Sequence, residues 1–175
     1  MLLAGLTAAQ RLRLYRIVTD QGEMRQFRMW PHQERVFQSL QDNRLTFCVK
    51  YRAAGITTLG ALWLLDEIAR HPGWHGYLIA DTHETAEEAF SKISDSIEHM
   101  PRGILPRLRR SSTRVVSFRH GGVLKCLTGG SRFPAIGRAI DRLVLTEVGM
   151  WNDLEAALQR IVPAYRKRKH AKALI

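Results

Sequence analysis

The chain has 175 residues, 45% of them apolar, which is enough to bury one substantial hydrophobic core and favours a single domain. Its 27 lysines and arginines outnumber its 16 acidic residues, so the net charge is +11 at pH 7. This surplus predicts a polyanionic partner, and nucleic acid is favoured over an acidic membrane surface. No segment approaches the roughly 18 uninterrupted apolar residues of a membrane-spanning helix, so no membrane partner is expected.

The N-terminal part of the chain has a helical pattern. Apolar residues recur at helical intervals between arginines from Leu6 to Val18, and Val36 and Leu40 repeat the pattern after Pro31. We therefore predict a helical segment over residues 1–40, attached to a core that spans residues 41–175.

The core opens with residues 45–49, a short, almost wholly apolar run with strong β propensity. Such a run predicts a central parallel strand that is buried on both faces. Both cysteines, Cys48 and Cys126, lie inside apolar runs, so we interpret them as small buried side chains and not as a disulfide or a metal site.

Residues 50–58 follow this strand and contain the parts of a phosphate-binding loop. Such a loop needs a glycine-containing turn with inward N–H groups, a cation, a hydroxyl for Mg²⁺ and a helix N-terminus. Gly55 and Thr57 fit the turn and the hydroxyl. The general pattern is nevertheless broken, because Lys50 replaces its first glycine and Ile56 replaces its lysine. The residues alone fit either a variant phosphate loop or an ordinary turn from strand to helix.

The rest of the core alternates strands and helices, which predicts an α/β fold with a mostly parallel sheet. In chain order we predict a helix over Thr58 to Ala69, a strand over Gly76 to Ala80, a helix opened by a capping box at Thr85 and Glu88 and ended by Pro101, a hairpin of Arg114 to Phe118 and Val123 to Leu127, a strand over Leu143 to Leu145, and the opening of a further strand over Ala171 to Ile175.

Glu147 is the candidate catalytic residue. Phosphate-loop ATPases place acidic residues at the end of an apolar strand beside the loop strand, where one binds Mg²⁺ and one polarises the attacking water. Glu147 follows the strand Leu143 to Leu145 and matches the second acid, which would serve as general base. Thr146 stands where the first acid is expected, so we expect Mg²⁺ to be held through a water on Thr146, or by Thr57 alone.

Several motifs together resemble the ATPase domain of tailed-phage large terminases, over roughly Phe27 to the C-terminus. They are the glutamine motif Trp30-Pro31-His32-Gln33, the loop Lys50 to Thr58 with its cation shifted forward and its paired threonines, the segment Ala80-Asp81-Thr82, the hairpin, Gly137-Arg138, and the stretch Leu143 to Trp151.

The resemblance implies a P-loop NTPase of the additional-strand, RecA-like class, with three layers, a helical N-terminal appendage, and ATP and Mg²⁺ as cofactors. It also implies roles for individual residues. Gln33 would read adenine, Lys50 and Arg52 would bind phosphate, Ala53, Ala54, Gly55, Ile56, Thr57 and Thr58 would complete the nucleotide loop, Thr57 would face Mg²⁺, and Glu147 would be the catalytic base.

By the same resemblance the chain would move double-stranded DNA into a procapsid. It would act as one of a ring of large subunits docked on a portal, with a small terminase, in the cytoplasm of an infected or lysogenic bacterial host. Arg132 and Arg138 are candidates for a DNA contact or for an arginine given to a neighbouring subunit's nucleotide. Arginines between Arg102 and Arg114, and the run Arg166 to Lys169, are candidates for contacts with DNA phosphates.

The resemblance further implies that the core is incomplete at its C-terminus, before the coupling motif and nuclease domain of the family, so no nuclease activity is expected. Two alternatives remain open. One is a truncated, hydrolysis-deficient module that binds nucleotide or DNA, which Ile56 and Thr146 favour. The other is a helicase-like ATPase.

Overall fold

The computed structural model describes residues 5–19, 21–51, 53–129 and 137–175. Its helices and strands, in chain order, are α1 (Ala8–Leu12), β1 (Arg16–Val18), β2 (Met24–Gln26), α2 (Pro31–Asp42), β3 (Leu45–Thr46), α3 (Ile56–Arg70), β4 (His75–Ala80), α4 (His83–Glu98), β5 (Leu108–Ser112), β6 (Val115–Phe118), β7 (Val123–Thr128), β8 (Arg142–Leu145), a short 3-10 helix (Val148–Met150), α5 (Leu154–Arg166) and β9 (Lys172–Leu174).

A seven-stranded sheet, ordered β3-β9-β8-β4-β7-β6-β5, organises the core. The first five strands in this order are parallel, and β6 and β5 add an antiparallel extension. Helices α3 and α4 pack on one face, and α5 packs on the other. The predicted three-layer α/β fold with a mostly parallel sheet is therefore confirmed, and the carboxyl ends of the parallel strands meet at one edge.

Helix α3 lies at the centre of the molecule. It is apolar on nearly every side, and almost all of its residues are buried. Gly76 on β4 permits the close approach of this helix, since a Cβ at that position would lie 2.6 Å from the Ile68 side chain. No helix in the described residues, α3 included, has the length and apolarity needed to cross a membrane.

The prediction that the chain is helical from Leu6 to Val18 is wrong beyond Leu12. Helix α1 ends there, and β1 pairs with β2 as an antiparallel hairpin. The β-branched pair Ile17 and Val18 favours a strand, and Gly22 adopts a φ of +76° in the connecting turn. The spacing of the apolar residues did not distinguish a helix from a strand in this short segment, because a hairpin packed on the core also buries some apolar side chains and exposes others.

The predicted central strand at residues 45–49 is also wrong. Only Leu45 and Thr46 form β3, which lies at the sheet edge among the described strands, and Phe47 and Val49 are exposed. Its neighbour is β9, so β8 is not adjacent to the loop strand as expected. Cys126 is fully buried as predicted, whereas Cys48 is only half-buried.

Two local features of the core differ from the sequence prediction. Helix α4 begins after Thr82, whose side chain accepts a hydrogen bond from the Thr85 backbone N–H, so the predicted cap at Thr85 lies three residues too late. Strand β5 was not predicted, because most of its side chains are exposed and show no apolar alternation. The predicted hairpin of β6 and β7 is confirmed.

A buried ion pair joins α3 to β8. Arg142 lies 2.6 Å from Glu67, and both side chains are at least 90% buried. Replacing Arg142 with alanine would leave the Glu67 carboxylate without its partner, and we expect the free energy of unfolding to fall by about 3 to 5 kcal/mol. Urea denaturation would measure the change.

A matched control is the exposed pair of Arg25 and Glu23. Arg25→Ala is expected to cost at most about 1 kcal/mol, because water screens an exposed pair. Equal losses in the two variants would contradict the importance assigned to burial.

Candidate nucleotide-binding site

The loop between β3 and α3 presents backbone groups at the carboxyl edge of the sheet. Ala53 and Gly55 both have positive φ, of 62° and 67°, and Gly55 directly precedes the first residue of α3. A left-handed turn leading into a helix aims free N–H groups at an anion. Glycine suits this position because its φ is positive, and a Cβ would also lie 2.5 Å from the Gln33 amide nitrogen, so the Gln33 side chain would have to move. Arg52 lies outside the described residues.

Two side chains of α2 hold this loop in place. Gln33 Nε2 donates to the carbonyl oxygens of Gly55 at 2.9 Å and Ala54 at 3.3 Å, while Gln33 Oε1 accepts from the Trp30 backbone N–H at 2.9 Å. His32 Nε2 also lies 2.8 Å from the Ala54 carbonyl oxygen. Both ends of the Gln33 amide are thus engaged, so the side chain positions the loop, and its predicted contact with adenine would require one of these bonds to be exchanged.

Three aromatic rings stand in a row beside the loop. The ring of His32 lies 5.5 Å from that of Trp30 and 5.9 Å from that of Tyr51, and Trp30 and Tyr51 are largely exposed. Sequence reasoning missed this feature, although Trp30 and His32 belong to the same motif as Gln33. Exposed rings of this kind offer faces on which a planar base can stack.

The cation of the loop and the predicted base lie together. Lys50 Nζ is 4.0 Å from Glu147 Oε1, although the two residues follow different strands that β9 separates. Their side chains are 25% and 44% exposed. An ion pair this exposed is weak, so each group remains available to a ligand.

Backbone strain is concentrated at the same place. Within the described residues, the only non-glycine residues with positive φ are Ala53 and Glu147, at 62° and 56°. Such conformations cost about 1 to 3 kcal/mol each and are found preferentially at functional sites. Trp151 holds the turn after β8, since its Nε1 donates to the Thr146 carbonyl oxygen at 3.0 Å and its ring packs against Gly129.

The residues present are compatible with Mg²⁺ bound mainly through nucleotide phosphates. Thr146 is 5% exposed, and its Oγ1 has no hydrogen-bond partner, which is unusual for a buried hydroxyl. Thr57 and Thr58 are half-buried in the first turn of α3. The described residues contain no cluster of three or more histidine, cysteine or acidic ligands. Because Mg²⁺ keeps several waters and few protein ligands beside a nucleotide, hydroxyls at this position suit it.

Other predicted site residues lie elsewhere. Ile56 is buried in the core, so only its backbone can face a phosphate. Arg138 is exposed and donates to His75 Nε2 at 3.3 Å, near the amino end of β4 and thus at the edge opposite Glu147. Arg132 lies outside the described residues. The expected role of Arg138 toward another subunit remains a prediction.

Neither a protein-family model nor a curated protein sequence matches the chain. Solved structures do. The large terminase of bacteriophage HK97 has a TM-score of 0.78 and 16% identity, over 95% of this chain and 36% of that one. The ATPase domain of the large terminase of Thermus phage P74-26 has a TM-score of 0.62 and 18% identity, over 79% and 62% of the two chains. The large terminase of another thermophilic bacteriophage, solved in complex with ADP, has a TM-score of 0.59 and 12% identity, over 85% and 38%.

These similarities cover most of this chain but only about a third of the length of the HK97 protein and of the terminase solved with ADP. At such identities they establish architecture and not activity. They agree with the α/β architecture and its mostly parallel sheet. The chain therefore has the fold of the ATPase domain of bacteriophage large terminases, as its motifs predicted.

Proposed function

We propose that this chain is an ATPase motor domain that hydrolyses ATP at residues 50–58 and uses the energy to move double-stranded DNA. The observation that carries the proposal is the 4.0 Å approach of Lys50 to Glu147, across a sheet in which β9 separates their strands. A cation for phosphate and a carboxylate for water, both next to strained backbone, are the two groups that phosphoryl transfer to water needs.

In the proposed reaction the β- and γ-phosphates lie over the left-handed turn at Ala53 and Gly55, where the first N–H groups of α3 face them. Lys50 turns from Glu147 toward the phosphate oxygens. Glu147 then accepts a proton from the water that attacks the γ-phosphorus, while the bond from that phosphorus to the β–γ bridging oxygen breaks, so that ADP and inorganic phosphate are the products. Bound Mg²⁺ would offset negative charge on the phosphate oxygens, with Thr57 and Thr146 as its neighbours on the protein.

For the base of the nucleotide, the row of rings supports a stacked position. Trp30 and Tyr51 expose ring faces beside the loop. Gln33 is instead buried, and its amide nitrogen donates to the carbonyl oxygens of Ala54 and Gly55. We therefore assign Gln33 chiefly to fixing the loop, with adenine held by stacking. The ADP present in one of the similar terminase structures supports nucleotide as the ligand class.

The structural similarity to terminases also supports the wider setting. We propose a ring of such subunits that packages viral DNA through a portal, with a small terminase, inside a bacterial host cell. The net charge of +11 suits a chain that acts on DNA.

The test is a steady-state ATPase assay with and without linear double-stranded DNA. We expect Mg²⁺-dependent turnover that rises when DNA is added, because a motor couples hydrolysis to its track. A rate of ATP hydrolysis that is the same with and without DNA would contradict the motor function. The absence of both hydrolysis and ATP binding would contradict the nucleotide site.

A second candidate function is a module that binds nucleotide without hydrolysing it. Thr146 favours it, because a buried hydroxyl replaces the acid that usually helps to bind Mg²⁺, and Ile56 favours it by replacing the usual lysine. ATP binding without turnover, in the presence of DNA and Mg²⁺, would support this candidate. Unwinding of a duplex would instead support a helicase-like ATPase.

A further inference from the structure

The sheet is covered unevenly on its α5 face. Helix α5 packs over Tyr77, Ile79 and the strands β8 and β9. Lys125 lies directly opposite Tyr77 in the parallel pair of β4 and β7, and opposite Val115 in the pair of β7 and β6, so these residues share that face. Lys125 and Val115 are only half-buried, since no described helix crosses this part of the sheet.

The uncovered part of this face forms an open groove of about 440 Å³. Four cations line it, from three parts of the chain: Arg109 and Arg110 on β5, Lys125 on β7, and Arg138 before β8. No carboxylate is among the described residues that line it. Four positive charges with no counter-charge in one concavity focus a field that attracts an anion.

The local contacts leave this charge unneutralised. His75 accepts a hydrogen bond from Arg138 through Nε2. Burial and, to a smaller extent, the Arg138 charge lower the pKa of its imidazole, which favours the neutral form. Asp141 accepts from the His75 backbone N–H but is fully buried, and its other oxygen contacts His170 and Arg168. Its negative charge is therefore already paired with Arg168 and His170, which follow α5.

The chemistry of the lining distinguishes between polyanions. Single-stranded nucleic acid binds on exposed aromatic rings, but the two aromatic rings among the described lining residues, those of Phe118 and His75, are both buried. Arginine and lysine without aromatic partners match the phosphates of a duplex, which position a protein without specifying sequence. Arginine also favours phosphate because its planar fork donates two hydrogen bonds.

We propose that this groove, lined by Arg109, Arg110, Lys125 and Arg138, binds the sugar–phosphate backbone of double-stranded DNA. The inference deepens the proposed function by naming where the DNA lies, and it rests on that function only for the choice of DNA as the polyanion. The groove begins at His75, the first residue of β4, whereas the nucleotide loop lies at the carboxyl edge of the parallel strands. Binding of DNA is thereby separable from binding of ATP.

The experiment compares the double variant Arg110→Gln and Lys125→Gln with the control Arg13→Gln and Arg35→Gln, which removes the same charge from exposed positions outside the groove. Binding of a fluorescent DNA duplex is measured over a range of salt concentrations. Each lost phosphate contact reduces the slope of log K against log salt by about one, so we expect a change of about two and at least about a tenfold loss at low salt. The control should change affinity by less than about twofold.

Equal losses in both double variants would overturn the proposal, because the effect would then follow net charge alone. It would also be overturned if a polyglutamate peptide displaced the duplex at equal charge concentration, since the groove would then take acidic protein segments. A duplex that binds here should raise the pKa of His75, because the phosphate charges favour a protonated imidazole. An NMR titration with and without the duplex would measure this pKa, and an unchanged value would mean that the DNA binds elsewhere. Thermal unfolding and ATP binding of the variants should match the parent chain, so failure of the nucleotide site would be seen separately.

Discussion

Glu147→Gln is expected to abolish ATP hydrolysis while ATP still binds. Glutamine has nearly the same shape as glutamate but accepts no proton from water, and removal of a general base typically lowers kcat by about 100-fold to 10,000-fold. Affinity for ATP should be retained or increased. The carboxylate that lies 4.0 Å from Lys50 would no longer compete with the phosphates for that cation.

Two measurements separate these effects: steady-state phosphate release for turnover, and fluorescence of a labelled ATP analogue for affinity. Glu98→Gln is a suitable control because Glu98 is an exposed carboxylate at the end of α4. It should leave both quantities unchanged. A Glu147→Gln variant that turns over ATP at the parent rate would remove Glu147 from the mechanism.

Lys50→Ala is expected to weaken nucleotide binding by about 10-fold to 100-fold. A hydrogen bond to a charged group contributes about 1.5 to 3 kcal/mol, and every 1.4 kcal/mol changes a dissociation constant tenfold. The loss is expected because Ile56, which stands in the usual lysine position, is buried in the core. Lys50 is then the described cation of the loop closest to the catalytic carboxylate.

Isothermal titration with ADP and with ATP would measure this loss, and it should be larger for ATP if Lys50 reaches the γ-phosphate. Lys50→Arg should retain most of the affinity. Lys169→Ala, at an exposed position after α5, should have no effect. Normal ATP affinity in Lys50→Ala would mean that the segment is an ordinary turn between strand and helix.

The sequence predicted those parts of the fold that depend on local pattern. The run Leu143 to Leu145 predicted β8 because continuous apolar residues fit a strand covered on both faces, and residues 119–122 predicted the hairpin turn. The order of strands across the sheet is set by packing between distant segments. For this reason the sequence placed residues 45–49 at the centre, whereas β3 is short and lies at the edge.

The candidate site shows the same division. The residue types of the loop and of Glu147 were visible in the sequence, but their geometry was not. The left-handed conformation of Glu147 depends on the turn that Trp151 holds, and the engagement of Gln33 depends on how α2 approaches the loop. The basic groove could likewise not be predicted from the sequence, because Lys125 and Arg110 are brought together only by the pairing of β5, β6 and β7 in the antiparallel extension of the sheet.

The position of β9 has a consequence for how the protein is made. Leu45, next to the loop, pairs with Ala173, and β9 in turn pairs with β8 ahead of Glu147. Among the described strands, β3 has no other neighbour. During synthesis on the ribosome the loop therefore emerges early but has no strand to pair with until residues 172–174 are made. Contacts between such distant segments form slowly, so the two halves of the site come together late in folding.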